Sequence, residues 1–280
     1  MRFDLLAEGL HFPESPFWSE RDACLYLVEW LGDRVLAYRR GKLETLFQTG
    51  QGDGPSGLCQ DPNGNFWITL YSSGKLISCK PNGERLLVVQ DYQGTAFRGP
   101  CDLAGAADGG VFFTDSGDFE EDWRSGRPAG AVYYCSPAGE LREIERGLCF
   151  PNGIALSPDE SRLYVNEHRC NRTLEYILRP DKSYVEKRIL YTFDNACLLE
   201  PSAAFELGPD GLCVTDDGDL WVAHYGGGKL AQVSPSGEAR GMLPLPRGPR
   251  PTNVACDAAR RVLYVTEAEF GLLYRVAPGN

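Results

Sequence analysis

Short apolar and aromatic runs recur along the chain at a regular interval: Leu25-Tyr26-Leu27-Val28, Phe66-Trp67-Ile68-Thr69, Val111-Phe112-Phe113-Thr114, Leu163-Tyr164-Val165-Asn166, Leu220-Trp221-Val222-Ala223 and Leu263-Tyr264-Val265-Thr266. Each is rich in the β-branched and aromatic side chains that suit a pleated, packed backbone, so each predicts a strand. Most follow a turn of Asp, Asn, Pro and Gly, as in Asp61-Pro62-Asn63-Gly64, Asp108-Gly109 and Asp216-Asp217-Gly218. Another apolar run precedes the turn, as in Gly153-Ile154-Ala155-Leu156, and two strands joined by a tight turn make a hairpin.

Third and fourth strands follow with their own turn signals, as in Lys75-Leu76-Ile77-Ser78, then Pro81-Asn82-Gly83, then Arg85-Leu86-Leu87-Val88-Val89. The unit is a four-stranded meander of about 40 to 55 residues, the length of a propeller blade. Six such units account for the chain, the sixth borrowing a strand from Arg2 to Ala7 and so hiding a sheet edge. The pattern predicts an all-β fold, a six-bladed β-propeller of antiparallel blades in one domain over residues 1–280. A β-sandwich has no reason to repeat sixfold, and no long helical periodicity competes.

Equivalent blades can be aligned. The residue at the start of each innermost strand, ten or eleven positions before the strong second strand, reads Glu14, Ser56, Cys101, Asn152, Asp210 and Thr252. All six are expected to ring one end of the central channel. Glu, Asn and Asp bring oxygen donors together, and two carboxylates in a narrow channel call for a cation. Hard oxygen ligands point to calcium first, with magnesium, manganese, zinc or iron as alternatives. Asn152-Gly153 and Asp210-Gly211 could equally be ordinary turn dipeptides, and it is their shared register with Glu14 that favours a site. The residue just past each second strand, reading Glu29, Leu70, Asp115, Glu167, His224 and Glu267, is expected to approach the same mouth. The carboxylates there suit bonds to backbone amides, while His224 could serve as a base. The long connection from Asp115 to Ala129, carrying Glu120, Glu121, Trp123 and Arg124, has the size of a lid.

Composition narrows the classes. The chain has 280 residues, 42% hydrophobic, with 32 glycines and 19 prolines, which suits many turns around a full core. A net charge of −11 without a Lys/Arg cluster excludes an affinity built on phosphate neutralisation, so no nucleic-acid partner is expected. The start, MRFDLLAEGL, lacks the pattern of an export signal, and no run of about 18 apolar residues predicts a membrane span. Ten cysteines without a CxxC, several inside strand-like runs, read as buried thiols of a reducing, cytoplasmic setting. A monomer or small homo-oligomer is expected.

Three blocks carry a resemblance. Glu14-Ser15-Pro16-Phe17-Trp18, Phe150-Pro151-Asn152-Gly153-Ile154-Ala155, and Pro209-Asp210-Gly211-Leu212 with Leu220-Trp221-Val222-Ala223 resemble, in order and spacing, the motifs of the senescence marker protein/gluconolactonase family, which includes regucalcin and bacterial sugar lactonases. The resemblance covers almost the whole chain. It implies a six-bladed propeller in which Glu14, Asn152 and Asp210 bind one catalytic divalent metal ion. Where the family carries Asn-Asp, this chain reads Arg98-Gly99-Pro100-Cys101-Asp102, so Cys101 replaces an asparagine that in relatives helps hold metal, water or substrate. A neutral thiol there removes a ligand, whereas a thiolate favours a softer ion. Arg98 is shifted by one position from the family's substrate-binding arginine.

These readings converge on metal-assisted hydrolysis of a lactone or similar cyclic ester, with water attacking a polarised carbonyl. Asp210 is the first choice of base and His224 the second, with Arg98, Cys101, Glu120, Glu121 and Trp123 as expected substrate contacts. The competing readings are a phosphotriester or aryl-ester hydrolase using the same electrophile, and a non-enzymatic metal-binding propeller that presents a face to a protein partner. The absence of Gly-x-Ser-x-Gly argues against a serine hydrolase.

Overall fold

A computed structural model of the protein describes residues 1–195 and 207–278. Within them six four-stranded antiparallel sheets form the blades of a six-bladed β-propeller. The innermost strands are Pro13–Ser19, Pro55–Gln60, Pro100–Gly105, Pro151–Leu156, Gly208–Val214 and Pro251–Asp257. The second strands are Cys24–Glu29, Phe66–Leu70, Val111–Asp115, Arg162–Glu167, Leu220–Tyr225 and Val262–Glu267, and they contain all six apolar runs.

Those runs read as continuous rather than alternating because a second strand is covered on both faces. In the first blade Tyr26 and Val28 pack with Phe66 and Ile68 of the second. Leu25 and Leu27, on the opposite pleat, pack with Tyr264 and Leu273 of the sixth. The outermost strands meet solvent and carry a weaker signal: Ala239–Pro244 is almost wholly exposed.

The ring closes as the sequence indicates. Arg2–Ala7 pairs antiparallel with Leu272–Ala277, Arg2 lying opposite Ala277, and so becomes the outer strand of the sixth blade. Three features among the described residues lie outside the repeat: a small hairpin of Asp91–Tyr92 with Thr95–Ala96, a π-helical turn over Phe119–Trp123 within the long third-blade connection, and a 3-10 turn over His168–Cys170. The nine cysteines among the described residues are unpaired, and no helix among these residues is long and apolar enough to cross a membrane.

Because the closing strand covers the edge of Leu272–Ala277, removal of residues 1–7 should expose that edge and the sixth-blade core. We expect a loss of roughly 3 kcal/mol or more in stability and a gain in self-association, read by thermal denaturation and light scattering.

Candidate functional site at the channel mouth

Each of the six channel positions follows a proline: Pro13, Pro55, Pro100, Pro151, Pro209 and Pro251 stand directly before Glu14, Ser56, Cys101, Asn152, Asp210 and Thr252. Proline fixes its own φ and restricts the residue before it, so the chain enters every blade in a similar way. Glu14, Ser56, Cys101, Asn152 and Asp210 then line one cavity of about 250 Å³. Thr252 is fully buried instead, its hydroxyl donating to the Pro13 carbonyl at 2.7 Å.

A repeated clamp sets the positions of these residues. The hydroxyl of Thr69 donates to the Cys101 carbonyl at 2.5 Å, the hydroxyl of Thr114 donates to the Asn152 carbonyl at 2.7 Å, and the Asn166 amide donates to the Asp210 carbonyl at 2.5 Å. Thr69, Thr114 and Asn166 occupy the same place in three successive second strands, and each holds the channel residue of the next blade. The approach is close enough that a Cβ on Gly153 would lie 2.1 Å from the Asp210 carbonyl oxygen, and one on Gly211 would lie 1.9 Å from Asn253. Both Asn-Gly and Asp-Gly pairs are therefore dictated by contact between blades.

The floor of the cavity is acidic. Burial drives the Glu14 carboxyl well above the ordinary carboxylate range, and the nearby charges of Asp210 and Asp102 add to this. Burial likewise pushes Asp102 up to about 7, against the pull of backbone donors at Leu103 and Ile154. Asp102 sits one residue further along the channel and takes bonds from Leu103 N at 2.9 Å and the Asn253 amide at 3.3 Å. The Cys101 thiol is pushed well above its usual value by burial and by Asp210 and Glu14. It stays protonated and lies 3.1 Å from Asn152 Oδ1. Two carboxylates and an amide oxygen, with Arg250 the single cation among the described lining residues, form a donor set suited to a hard divalent cation.

The rim is aromatic, and it comes from positions that the sequence alignment passed over by one residue. Trp30, Tyr71, His168 and Tyr225 line the cavity, each directly after Glu29, Leu70, Glu167 or His224. Tyr225 is the last residue of its strand, where the pleat turns successive side chains to opposite sides, while Trp30, Tyr71 and His168 are the first residues beyond theirs, where the chain turns at the mouth. The residues that the alignment selected turn away and fix the chain. Glu29 accepts from His11 N at 3.1 Å, Asp115 from Gly99 N at 2.7 Å, Glu167 from Cys149 N at 2.8 Å and Glu267 from Arg250 N at 3.2 Å. Each thus pins the segment leading into its own blade. Phe12 and Phe150, which precede Pro13 and Pro151, also line the cavity, and both hold left-handed backbone at φ 58° and 57°. For a bulky residue that conformation costs roughly 1–3 kcal/mol and persists only where the surroundings enforce it.

The other residues singled out from the sequence divide in two. Trp123 and its stacked neighbour Phe119, 5.2 Å between ring centroids, line the cavity from the third-blade loop. Glu120 and Glu121 are largely exposed and lie outside the lining, Glu120 pairing with Arg124 at 2.9 Å and Glu121 with Arg98 at 2.6 Å. Arg98 also meets Asp122 at 3.0 Å, so it ties down the loop. His224 is fully buried behind the cavity wall, with Nε2 2.9 Å from Asn171 Oδ1 and its ring against Phe193. Histidine at the cavity is represented by His168, whose Nδ1 is buried without a partner. Away from the channel, Cys149, Glu167 and Cys170 bring three ligand atoms within 4.8 Å, but Glu167 is already held by Cys149 N and by Arg172 at 2.6 Å.

Fold and site together define a class: a six-bladed propeller with oxygen donors from separate blades gathered at one mouth of its channel. The chain belongs to the SMP-30/Gluconolactonase/LRE-like region family, whose model matches residues 12–269. A gluconolactonase of Zymomonas mobilis is 29% identical over 260 residues, which cover 86% of this chain and 71% of that protein. The lactonase drp35 of Staphylococcus aureus is 30% identical over 181 residues, 62% of this chain, and the match spans half of that protein's length. The solved structure of a gluconolactonase from Xanthomonas campestris superposes with a TM-score of 0.82 at 25% identity, covering 98% of this chain and 88% of that one.

Burial holds His168 down at about 4, below its ordinary 6.5. The unfolded chain therefore binds the extra proton first as pH falls, and this histidine's contribution to stability diminishes between pH 6.5 and about 4. Asp102, raised from 3.8 to about 7, acts with the opposite sign over its own window. The stability difference between wild type and His168→Asn isolates the histidine. It should change by about 1.4 kcal/mol per pH unit across that interval, measured by urea denaturation at each pH.

Proposed function

We propose that the protein is a divalent-metal-dependent hydrolase that opens lactones, with Glu14, Asn152 and Asp210 holding the ion. One observation carries the reading: three oxygen-bearing side chains from the first, fourth and fifth blades line a single cavity, two of them carboxylates, and burial, with the nearby charge of Asp210, raises Glu14. The names of the Zymomonas and Staphylococcus relatives support a lactone as substrate. A bound cation would supply an electrophile that stabilises negative charge developing on a carbonyl oxygen.

The chain's own residues do the rest. The Asp210 carboxylate accepts a proton from water as the water oxygen bonds to the lactone carbonyl carbon. When the ring C–O bond breaks, the same proton passes to the departing alkoxide, leaving a hydroxy acid. The Asn166 amide on the Asp210 carbonyl fixes the backbone from which that carboxylate projects. Cys101, kept neutral by burial and by its acidic neighbours, donates to Asn152 Oδ1 rather than acting as a soft thiolate ligand, which supports calcium or magnesium over zinc. Phe119 and Trp123 line the cavity beside the reacting groups. Nine unpaired cysteines among the described residues support a reducing, cytoplasmic setting.

Exhaustive chelation should abolish lactone hydrolysis, and added calcium should restore it; full activity after chelation would contradict the assignment. Asp210→Ala should lose at least about a hundredfold in kcat/KM together with calcium-induced thermal stabilisation. Glu14→Gln removes one of the two repelling charges. Its metal-free form should be more stable than wild type by about 1 kcal/mol, while its gain on adding calcium shrinks, as read by calorimetry.

A further inference from the structure

We infer that the acyl-ring substrate of this site carries a planar apolar group, such as an aryl substituent, rather than the array of hydroxyls of a sugar lactone. The inference rests on the hydrolytic reading above and specifies its substrate class.

Among the described residues, the walls above the acidic floor are largely aromatic. Phe12 meets Trp30 edge-on at 4.9 Å, and Trp30 meets Tyr71 at 5.5 Å. On the opposite side Phe119 stacks on Trp123 at 5.2 Å and meets Phe150 at 6.2 Å. Phe150 and His168 lie 6.0 Å apart, and His168 and Tyr225 6.1 Å. A chain of ring contacts thus runs around the mouth from two directions. These rings present faces and edges suited to another flat apolar group.

Two of the polar handles are already engaged by the protein. Trp30 Nε1 donates to Ser72 Oγ at 3.0 Å, and the Tyr71 hydroxyl donates to the Gly117 carbonyl at 3.2 Å. A buried sugar lactone would need a partner for each hydroxyl, and an unmatched hydroxyl is strongly disfavoured. Among the described residues the wall above the acidic floor offers few such partners: the Ser56 hydroxyl, the Trp123 indole N–H and the guanidinium of Arg250, which also lies 5.7 Å over the Tyr225 ring and 3.5 Å from Glu269.

Backbone strain points the same way. Three of the residues that precede the blade-opening prolines are glycine, namely Gly54, Gly99 and Gly208. At Phe12 and Phe150 the chain instead places a phenylalanine in left-handed backbone, a conformation that glycine adopts freely. Holding bulky rings there costs stability, and it sets both rings against the aromatic wall of the cavity.

The test uses calcium-loaded full-length protein, titrated with two non-hydrolysable probes: a phenyl-substituted δ-valerolactam and gluconolactam. The fluorescence of Trp30 and Trp123 and calorimetry report binding. We expect the phenyl lactam to bind at least about tenfold more tightly than gluconolactam. Trp30→Ala and Trp123→Ala should each weaken the phenyl lactam severalfold more than they weaken gluconolactam, a selectivity that general loosening of the fold would not produce. Equal or tighter binding of gluconolactam, or binding of neither probe, overturns the inference. Hydrolysis of the two matching lactones is measured alongside. Turnover of the sugar lactone alone overturns this inference and keeps the hydrolytic reading, whereas turnover of neither lactone overturns that reading itself.

Discussion

The site depends on one repeated bond, in which a polar side chain on the second strand of a blade donates to the carbonyl of the channel residue in the next. Thr69, Thr114 and Asn166 act in this way on Cys101, Asn152 and Asp210. A buried carbonyl without such a donor would be costly, so the clamp fixes spacing between blades as well as satisfying a polar group. It couples the wall of one blade to the cavity lining of its neighbour. The close approach it requires leaves no room for a Cβ at Gly153 or Gly211. Positions that look like turn glycines in the sequence are therefore packing glycines.

Around that ring the protein maintains two unfavourable arrangements at the same end of the channel. Carboxyl groups of Glu14 and Asp102 are buried near one another and near Asp210, and two phenylalanines hold left-handed backbone. Both cost stability in the free fold. Both become intelligible if the cavity takes a cation at its floor and a flat apolar group between its walls, since each partner would relieve or use what the free fold merely tolerates. The surrounding structure enforces the conformation: carboxylates at Glu29, Asp115, Glu167 and Glu267 pin the segments that lead into four of the blades.

The repeat was legible because its cause is local. A second strand buried on both faces must be apolar throughout, and Leu25 to Val28 shows this without reference to any other segment. The alignment of Glu14, Ser56, Cys101, Asn152 and Asp210 was legible for the same reason, since equivalent blades put equivalent residues at equivalent heights. The prolines before all six positions were a further signal of that register.

What sequence could not resolve was direction. Counting to the strand ends at Glu29, Leu70 and Glu167, and to His224, reached residues held in the wall, while the next residue in each case, Trp30, Tyr71, His168 and Tyr225, lines the cavity. Arg98 and Glu121 differ again, because an ion pair across a loop depends on how that loop folds back, which no periodicity encodes. The amino-acid order by itself determined the number of blades, their closure and the chemistry gathered at the channel. The tertiary structure decided which side chains face the cavity, because facing is set by pleat and by contact between blades far apart in the chain.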